Sequence, residues 1–472
     1  ATPEQIQGLF EHTFYENTFG TVGVVNDEVS EMLDELHVKL SQTEDDDSRE
    51  TLQKEITRLQ NIKTVEVTPY RTESEYTDNR RPDKVEFSDK LEDDLQRRDF
   101  TINAMCYDPT TETLIDLYNG VKDLDAKNIT TVGNAEERFA EDALRLMRAV
   151  RFAAQLDFSV SHETSEAISK SSATLSSVSR ERIKDELNKI LMSQKPMDGI
   201  ILLDEHNLLE TVCPRLCKAK GVAQNGSHVY DVYEHLLRTL QHAADKNWSL
   251  EIRLAALFHD IAKPETRRWS EEKNDYTFYG HEVVGSRETK KILKDLKYSN
   301  EIIEKVTLLV RWHMFFSDPD EITLSAVRRI IRNVDGDKNV WDLIKLRICD
   351  RIGMGRPKER PYRLRKYEAM MDEAMRSPVS VKDLKINGDQ LIEVFHMKPG
   401  KRMGWILHAL MRETLHTPEN NNYEWLVKHV SQLNELSDVE LEQLYIDGKE
   451  AIDEAEEQEL AEIRKKHKIG RK

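Results

Sequence analysis

The segment Arg97-Arg-Asp-Phe-Thr-Ile-Asn-Ala-Met105 places two arginines and an aspartate before a run of small and apolar residues. It follows the acidic stretch Leu91-Glu-Asp-Asp-Leu95, and the pattern predicts a helix that begins at the arginines. Guanidinium groups and the free N–H groups of a helix N-terminus would both face a phosphate. The carboxylate of Asp99 can accept a hydrogen bond from a sugar hydroxyl. The segment therefore indicates a nucleotide site, with a surface network of arginine and aspartate as the alternative.

A second arginine-rich segment, residues 138–152, predicts one continuous helix. Asp142, Arg145, Arg148 and Arg151 recur every three residues, and apolar side chains take the other faces. A carboxylate and a guanidinium one turn apart suit the Watson–Crick edge of a base, which leaves the outer arginines to reach a triphosphate. Salt bridges along a solvated helix are the alternative.

Histidines and aspartates are concentrated between residues 228 and 350. An isolated buried histidine is usually an ordinary core residue, but several of these fall at the ends of apolar helices. Imidazole nitrogens together with a carboxylate suit a divalent transition metal and leave coordination positions for water. The residues concerned are His228, His235, His259, Asp260, His281, His313 and Asp350.

Together these motifs resemble the class II tRNA nucleotidyltransferases, the bacterial CCA-adding enzymes and their poly(A) polymerase relatives. The resemblance rests on residues 97–105, 141–158 and 76–87, and extends from about residue 1 to 430. It implies an α+β fold, in which a small mixed-sheet nucleotidyltransferase head precedes predominantly helical neck, HD and body domains. It also implies template-independent addition of CCA to tRNA 3′ ends from CTP and ATP, with Mg²⁺. A poly(A) polymerase or an A-adding variant is the alternative.

The resemblance also implies roles for single residues. The Arg-Arg-Asp motif would bind the ribose and phosphates of the incoming nucleotide, and the Glu-Asp-x-x-Arg motif would act as a template for CTP and then ATP. Residues 71–89 resemble the flexible loop that helps to switch specificity from C to A. The implied nucleotide-binding residues are Arg97, Arg98, Asp99, Asn103, Glu141, Asp142, Arg145, Arg148 and Arg151.

The catalytic centre of the family is a Gly-Gly-x-Val-Arg-Asp turn followed by an Asp-x-Asp pair that holds two Mg²⁺ ions. Neither motif occurs before Gly20, where the family would place them. We therefore expect both motifs upstream of this numbering, and a head that is incomplete at its N-terminus. The third carboxylate candidate that remains is Glu66.

Residues 221–355 resemble the HD superfamily of metal-dependent phosphohydrolases. This implies a metal-bound water that attacks phosphomonoesters or 2′,3′-cyclic phosphates. The alternatives are an HD fold kept for structure, or an HD phosphohydrolase whose head only binds RNA. The implied residues are His235, His259, Asp260 and Asp350 as core ligands, His281 and His313 as second-metal ligands or phosphate contacts, and Lys263 beside the substrate phosphate.

Composition sets the outer limits. The 472 residues include 69 Lys and Arg against 87 Asp and Glu, a net charge of −18, which argues against a protein that coats nucleic acid non-specifically. No apolar run approaches the roughly 20 residues that cross a bilayer. Four scattered cysteines give no disulfide framework and favour the reducing cytoplasm.

We predict five segments: head 1–134 with a helical insertion at 27–63, neck 135–220, HD domain 221–355, body 356–432 and charged helical extension 433–472.

Overall fold

The computed structural model describes residues 2–15, 20–43, 45–74, 84–225, 229–316, 318–376 and 381–469. Its contacts divide the chain into two compact units that interleave along the sequence, whereas the five consecutive segments stay a prediction. The first unit comprises residues 1–223, 231–254 and 290–303, and the second comprises residues 224–230, 255–289 and 304–472. Among the described helices, none is both long enough and apolar enough to cross a membrane.

The protein is predominantly helical, with small sheets. The helices are α1 (Pro3–Gln7), α2 (Asp27–Gln42), α3 (Asp46–Gln60), α4 (Leu91–Gln96), α5 (Gly120–Asp125), α6 (Ala135–Glu141), α7 (Leu144–Leu156), α8 (His162–Ser171), α9 (Arg180–Leu191), α10 (Pro196–Glu205), α11 (Leu209–Val212), α12 (Pro214–Cys217), α13 (Val232–Asp245), α14 (Leu250–Phe258), α15 (Lys263–Thr266), α16 (His281–Asp295), α17 (Asn300–Trp312), α18 (Leu324–Asn333), α19 (Asp337–Gly353), α20 (Tyr362–Met375), α21 (Gly388–Phe395), α22 (Lys401–His416), α23 (Tyr423–Asn434) and α24 (Asp438–Lys466). The strands are β1 (Thr13–Tyr15), β2 (Val22–Val25), β3 (Thr64–Val67), β4 (Arg71–Ser74), β5 (Lys84–Phe87), β6 (Met105–Asp108), β7 (Thr113–Asp116), β8 (Asn128–Ile129), β9 (Ser159–Val160), β10 (Arg268–Ser270) and β11 (Asp275–Thr277).

The first unit begins with an antiparallel sheet in the order β1-β2-β3. Helices α2 and α3 lie between β2 and β3 in sequence, within the span predicted as a helical insertion. Apolar residues three or four positions apart give each helix one buried stripe, and the two stripes pack together. The buried residues are Val29, Leu33, Leu36, Ile56 and Leu59.

Several short strands were not predicted. The irregular loop expected over residues 71–89 is wrong at both ends, because β4 and β5 pair antiparallel with Arg71 opposite Phe87. Residues 75–83 of that loop lie outside the described residues. The hairpins β6–β7 and β10–β11 were also missed. Strands of three or four residues are too short to show the alternation that identifies a strand in sequence.

Helices α22 and α24 form the centre of a core in the second unit. Leu441 of α24 is fully buried there among residues of α21, α22 and α23, so the charged C-terminal helix is part of a packed body. The helices approach closely at Gly448, where an added Cβ would lie 2.4 Å from the carbonyl oxygen of His408. At Gly404 on α22, by contrast, an added Cβ would have no other atom within 4 Å.

We therefore expect Gly448→Ala to lower stability although alanine is the better helix former. The new methyl group would separate the two helices, and overpacking costs about 1–3 kcal/mol. Gly404→Ala is the matched control and should raise stability by about 0.5–1 kcal/mol, because it only removes backbone freedom from the unfolded chain. Thermal unfolding of both variants gives the comparison, and equal shifts in Tm would contradict the close approach.

Candidate functional site

The Arg97–Met105 segment does not begin a helix. Helix α4 ends there, and Arg97 is its C-cap residue, so the predicted helix N-terminus at the arginines is wrong. Acidic residues fill the first turn of α4 and arginines follow its last, which is the arrangement that the helix dipole favours. Asp94, 4% exposed, accepts from both: Arg97 Nη2 lies 2.5 Å from Oδ1 and Arg98 Nη2 lies 2.9 Å from Oδ2. Burial would raise the pKa of Asp94, but these two arginines outweigh it and hold the pKa below its usual value.

The second arginine-rich segment is broken at Asp142. Helix α6 ends at Glu141, Asp142 has extended backbone (φ −142°, ψ 105°), and α7 begins at Leu144, so the single helix predicted over 138–152 is wrong. The Asp142 carboxylate accepts from the backbone N–H of Leu144 at 3.0 Å, a local bond by which aspartate competes with helix. Its other oxygen accepts from Arg182 Nη2 at 2.7 Å.

The two motifs meet in the first unit. Arg148 Nη2 lies 2.6 Å from Asp99 Oδ2, and Arg145 donates to the backbone carbonyl of Arg97 at 3.1 Å. Asn103 Nδ2 donates to the other Asp99 oxygen at 3.2 Å. Residues nearly fifty positions apart in sequence are therefore held in one polar cluster, as a shared nucleotide site requires.

Glu141 and Arg151, the other predicted nucleotide-binding residues, form ion pairs of their own. Glu141 accepts hydrogen bonds from Arg138 and Arg145 and so holds both guanidinium groups in position. Arg151 is buried, with Nη1 lying 3.2 Å from a Glu186 carboxylate oxygen, and burial lowers its pKa. Arg182 and Glu186 on α9 were missed. Both lie in the charged segment Ser179-Arg-Glu-Arg-Ile-Lys-Asp-Glu-Leu187, whose pattern of alternating charges is the signal that could have identified them.

Glu66, the carboxylate candidate in the head, lies on β3 opposite Gly23 and is exposed. It belongs to no group of three or more metal-ligating side chains in the described part of the chain. Among the described residues of the head, Glu66 has no set of partner carboxylates or imidazoles with which to hold a Mg²⁺ ion.

The second unit contains a buried cluster of imidazoles and carboxylates. Asp260 Oδ1 lies 3.2 Å from His281 Nε2 and 3.5 Å from His313 Nε2, and one ligand atom from each of the three lies within 4.8 Å of the others. His259 Nε2 lies 3.2 Å from Asp260 Oδ2 and 3.7 Å from Asp350 Oδ1. All five side chains are buried at the ends of helices α14, α16 and α17 or on α19.

The histidines of this cluster are oriented by backbone carbonyls. In each, Nδ1 donates to the carbonyl oxygen three residues earlier, so Nε2 is the ring nitrogen that faces the cluster and could bind a cation in place of a proton. The Nε2 atoms of His281 and His313 are only 3.1 Å apart, so two lone pairs face each other unless a cation lies between them. The donor set therefore fits a divalent metal ion. The three bonds are His259 to Ala256 (3.0 Å), His281 to Phe278 (2.7 Å) and His313 to Val310 (2.7 Å).

The electrostatics of the cluster also favour a cation. Burial would lower the pKa of His259, but the carboxylates of Asp260 and Asp350 outweigh it and raise the pKa to about 10. Burial dominates at His313 and lowers its pKa, so that imidazole is neutral and keeps its lone pair. Lys263 Nζ lies 2.6 Å from Asp260 Oδ2, where a phosphate could also be reached.

These residues line a cleft of about 330 Å³ in the second unit. Two more histidines, His235 and His228, belong to the predicted set. His235 is fully buried on α13, in a segment that belongs to the first unit, and its role as a ligand stays a prediction. His228 lies outside the described residues.

Comparison with known proteins identifies the family of the chain. Family models match residues 22–130 (poly A polymerase head domain), 157–220 (RNA- and SrmB-binding site of polymerase A), 232–352 (HD domain) and 363–430 (tRNA nucleotidyltransferase domain 2). The CCA-adding enzyme of Ligilactobacillus salivarius is 32% identical over 381 residues, 78% of this chain and 79% of that one. The chain belongs to the class II CCA-adding enzyme family. It is an enzyme of the nucleotidyltransferase class.

This family of tRNA nucleotidyltransferases includes relatives of narrower activity. The CC-adding tRNA nucleotidyltransferase of Thermus thermophilus is 33% identical over 334 residues, 68% of this chain and 73% of that one. The A-adding enzyme of Deinococcus radiodurans is 30% identical over 339 residues, 70% of this chain and 76% of that one. The fold resembles that of the CCA-adding enzyme of Bacillus stearothermophilus solved with CTP, with a TM-score of 0.52, 23% identity, and coverage of 92% of this chain and 87% of that one.

The geometry of the cluster predicts that this CCA-adding enzyme homologue binds a divalent metal through Asp260. After dialysis against Mn²⁺ or Ni²⁺, we expect bound metal in the full chain and its loss in Asp260→Ala, measured by elemental analysis and calorimetry. Asp389→Ala removes an exposed aspartate from the first turn of α21 and is the control. Equal metal content in the two variants would show that Asp260 is not a ligand.

Proposed function

We propose that the protein adds CCA to the 3′ end of tRNA from CTP and ATP. The observation that carries the proposal is the Arg148–Asp99 ion pair, which joins the Arg-Arg-Asp motif to the helix that follows Asp142. Asp142 and Arg145, the proposed base-reading residues, therefore lie close to the segment proposed to bind ribose and phosphate. The CCA-adding relatives, similar over more than three quarters of the chain, support the same activity.

The chemistry of the bases explains why these side chains suit C and A. Each of these bases presents an amino group beside an unprotonated ring nitrogen on its Watson–Crick edge. Asp142 can accept from the amino group while Arg145 donates to the ring nitrogen. Uracil and guanine present a carbonyl beside a ring N–H, which would leave both protein groups facing like partners. Selection of C and A over U and G follows from this mismatch.

The template is held rigidly before a nucleotide binds. Asp142 is oriented by Arg182 and by the backbone of Leu144, while Arg145 is oriented by Glu141 and by the carbonyl of Arg97. Ordering of these side chains therefore adds little cost to nucleotide binding, and selectivity gains from this preorganisation.

The direct test uses a tRNA transcript that lacks CCA, with Mg²⁺ and CTP, ATP or both, and resolves products at single-nucleotide length. Two additions with CTP and three with both nucleotides are expected. Addition that stops at two residues with both nucleotides would assign CC addition, and addition with ATP alone to a transcript ending in CC would assign A addition. The assay uses the full-length protein.

Asp142→Ala should cost base selection far more than tRNA binding. The variant removes the acceptor for the amino group and leaves Arg182 without the carboxylate to which it donates, so the preference for C and A over U and G should fall by about tenfold or more. Incorporation of the four nucleotides and binding of tRNA are measured in parallel. Asp389→Ala, far along the chain from the motif, should leave both unchanged. An unaltered preference in Asp142→Ala would contradict the template role.

We also propose that the HD site hydrolyses phosphate esters, with His259, Asp260, His281, His313 and Asp350 holding the metal. Bound there, a divalent metal supplies a water of lowered pKa and polarises the phosphate. The carbonyl-oriented imidazoles turn Nε2 toward the cluster, and Lys263 lies where it can neutralise the phosphate. Asp260→Ala should therefore lose phosphatase activity together with metal, yet retain nucleotide addition. Loss of both activities at once would contradict two independent sites.

A further inference from the structure

One wall of the metal cleft is aromatic and basic. The hairpin β10–β11 and the two residues after it contribute Lys273, Thr277, Phe278 and Tyr279 to the lining of the cleft that contains His259 and Asp260. Whereas Phe278 is buried, Tyr279 is 74% exposed, which is unusual for a ring so close to buried metal ligands. Met314, which directly follows His313, is also exposed and lines the same cleft.

The hairpin is braced so that this wall keeps its form. The guanidinium carbon of Arg267 lies 3.5 Å from the ring centre of Tyr276, and the Trp269 ring packs edge-on against the same tyrosine at 5.1 Å. Lys273 Nζ donates to the hydroxyl of Tyr279 at 2.7 Å. This bond holds the phenol end of the ring and leaves a second cation at the cleft, in addition to Lys263.

An exposed ring beside a phosphate-binding cleft has a natural partner in a nucleobase. Bases stack on aromatic side chains without regard to their sequence, because every base has a π face. A simple phosphate ester would leave Tyr279 in water, whereas a nucleotide has both a phosphate for the metal ligands and a flat face for the ring. The cleft volume of about 330 Å³ is at the lower end of the range for small-molecule sites.

We propose that Tyr279 stacks on the base of a nucleotide whose phosphate lies at the His–Asp cluster, with Lys273 holding the ring in place. Tyr279 is then a specificity-determining residue, and the substrate class of the site is nucleotides rather than phosphate esters in general. The proposal rests on the phosphohydrolase function proposed for this site.

The first test compares a nucleoside monophosphate with glycerol 2-phosphate, which has no ring, by release of phosphate from the metal-loaded full chain. Tyr279→Ala should raise the KM for the nucleotide by about five- to tenfold, the effect of one lost stacking contact, and should leave the KM for glycerol 2-phosphate unchanged. Tyr279→Phe keeps the ring and should restore most of the difference. Tyr107→Ala, which removes an exposed tyrosine from β6 of the first unit, is the matched control.

A second test reads binding without turnover. A photoreactive 4-thiouridine monophosphate should cross-link to the tryptic peptide of residues 274–287, at Tyr279, and the cross-link should disappear in Tyr279→Ala. A five-nucleotide RNA that ends in 4-thiouridine 3′-phosphate is tested in parallel. Equal capture of the two assigns a free nucleotide, and stronger capture of the RNA assigns a strand end.

The outcomes separate this proposal from the one on which it rests. Tyr279→Ala could change the KM of both esters equally, or change neither KM. Either result would overturn the stacking role and leave the phosphohydrolase function intact. If the wild-type chain hydrolyses neither ester, the phosphohydrolase function fails, and the cross-link alone then decides whether the cleft binds nucleotides. Cross-linking confined to peptides other than 274–287 would overturn the inference.

Discussion

The ion pair between Asp99 and Arg148 is the contact on which the nucleotide site depends. Asp99 is buried, and a buried carboxylate that loses its partner costs up to about 3–5 kcal/mol. The pair therefore strongly favours one position of α7 relative to the segment that follows α4. The Arg145 bond to the Arg97 carbonyl acts in the same place, and the template residues next to α7 are positioned as a consequence.

Buried hydrogen-bond partners also orient the functional side chains of the second unit, but there the oriented groups attract a cation instead of an anion. At the nucleotide site, acidic side chains such as Asp94 and Asp99 orient arginines that can then bind anions. At the metal cluster, Asp260 and backbone carbonyls orient imidazoles whose lone pairs can then bind a cation. A chain with a net charge of −18 can thus act on nucleic acid, because each local site is set by its own buried partners and not by the total charge.

Much of the site chemistry could be predicted from the sequence, but much of its geometry could not. Arg97, Asp99, Arg145 and Arg148 lie in motifs whose family resemblance predicted a shared site, and the structure brings these four residues into one polar cluster. The helix end at Arg97 was missed because the small and apolar residues after Asp99 suggested that a helix begins there. Arginines are more favourable at the C-terminus of a helix, as they are placed here. The break at Asp142 was missed because its carboxylate bonds to the local backbone, which a periodic apolar pattern does not reveal. The tautomers of His281 and His313 depend on carbonyls that only the folded chain supplies.

The side chains proposed to bind the nucleotide differ in solvent exposure, and this difference suggests how Asp142 and Arg145 could accept both C and A. A purine is larger than a pyrimidine, so a base edge fixed on Asp142 and Arg145 puts the sugar and triphosphate in different places for the two nucleotides. The template itself has little room to follow, since the Arg145 side chain is 11% exposed and held by Glu141. The Arg98 side chain is 44% exposed, and that of Arg148 is 30% exposed. Arg98 is long and exposed enough to follow a moving phosphate, whereas Arg148 is held by its ion pair with Asp99. Under the proposed function, adaptation between the two nucleotides would fall to Arg98 on the phosphate side, while Asp142 and Arg145 stay in place.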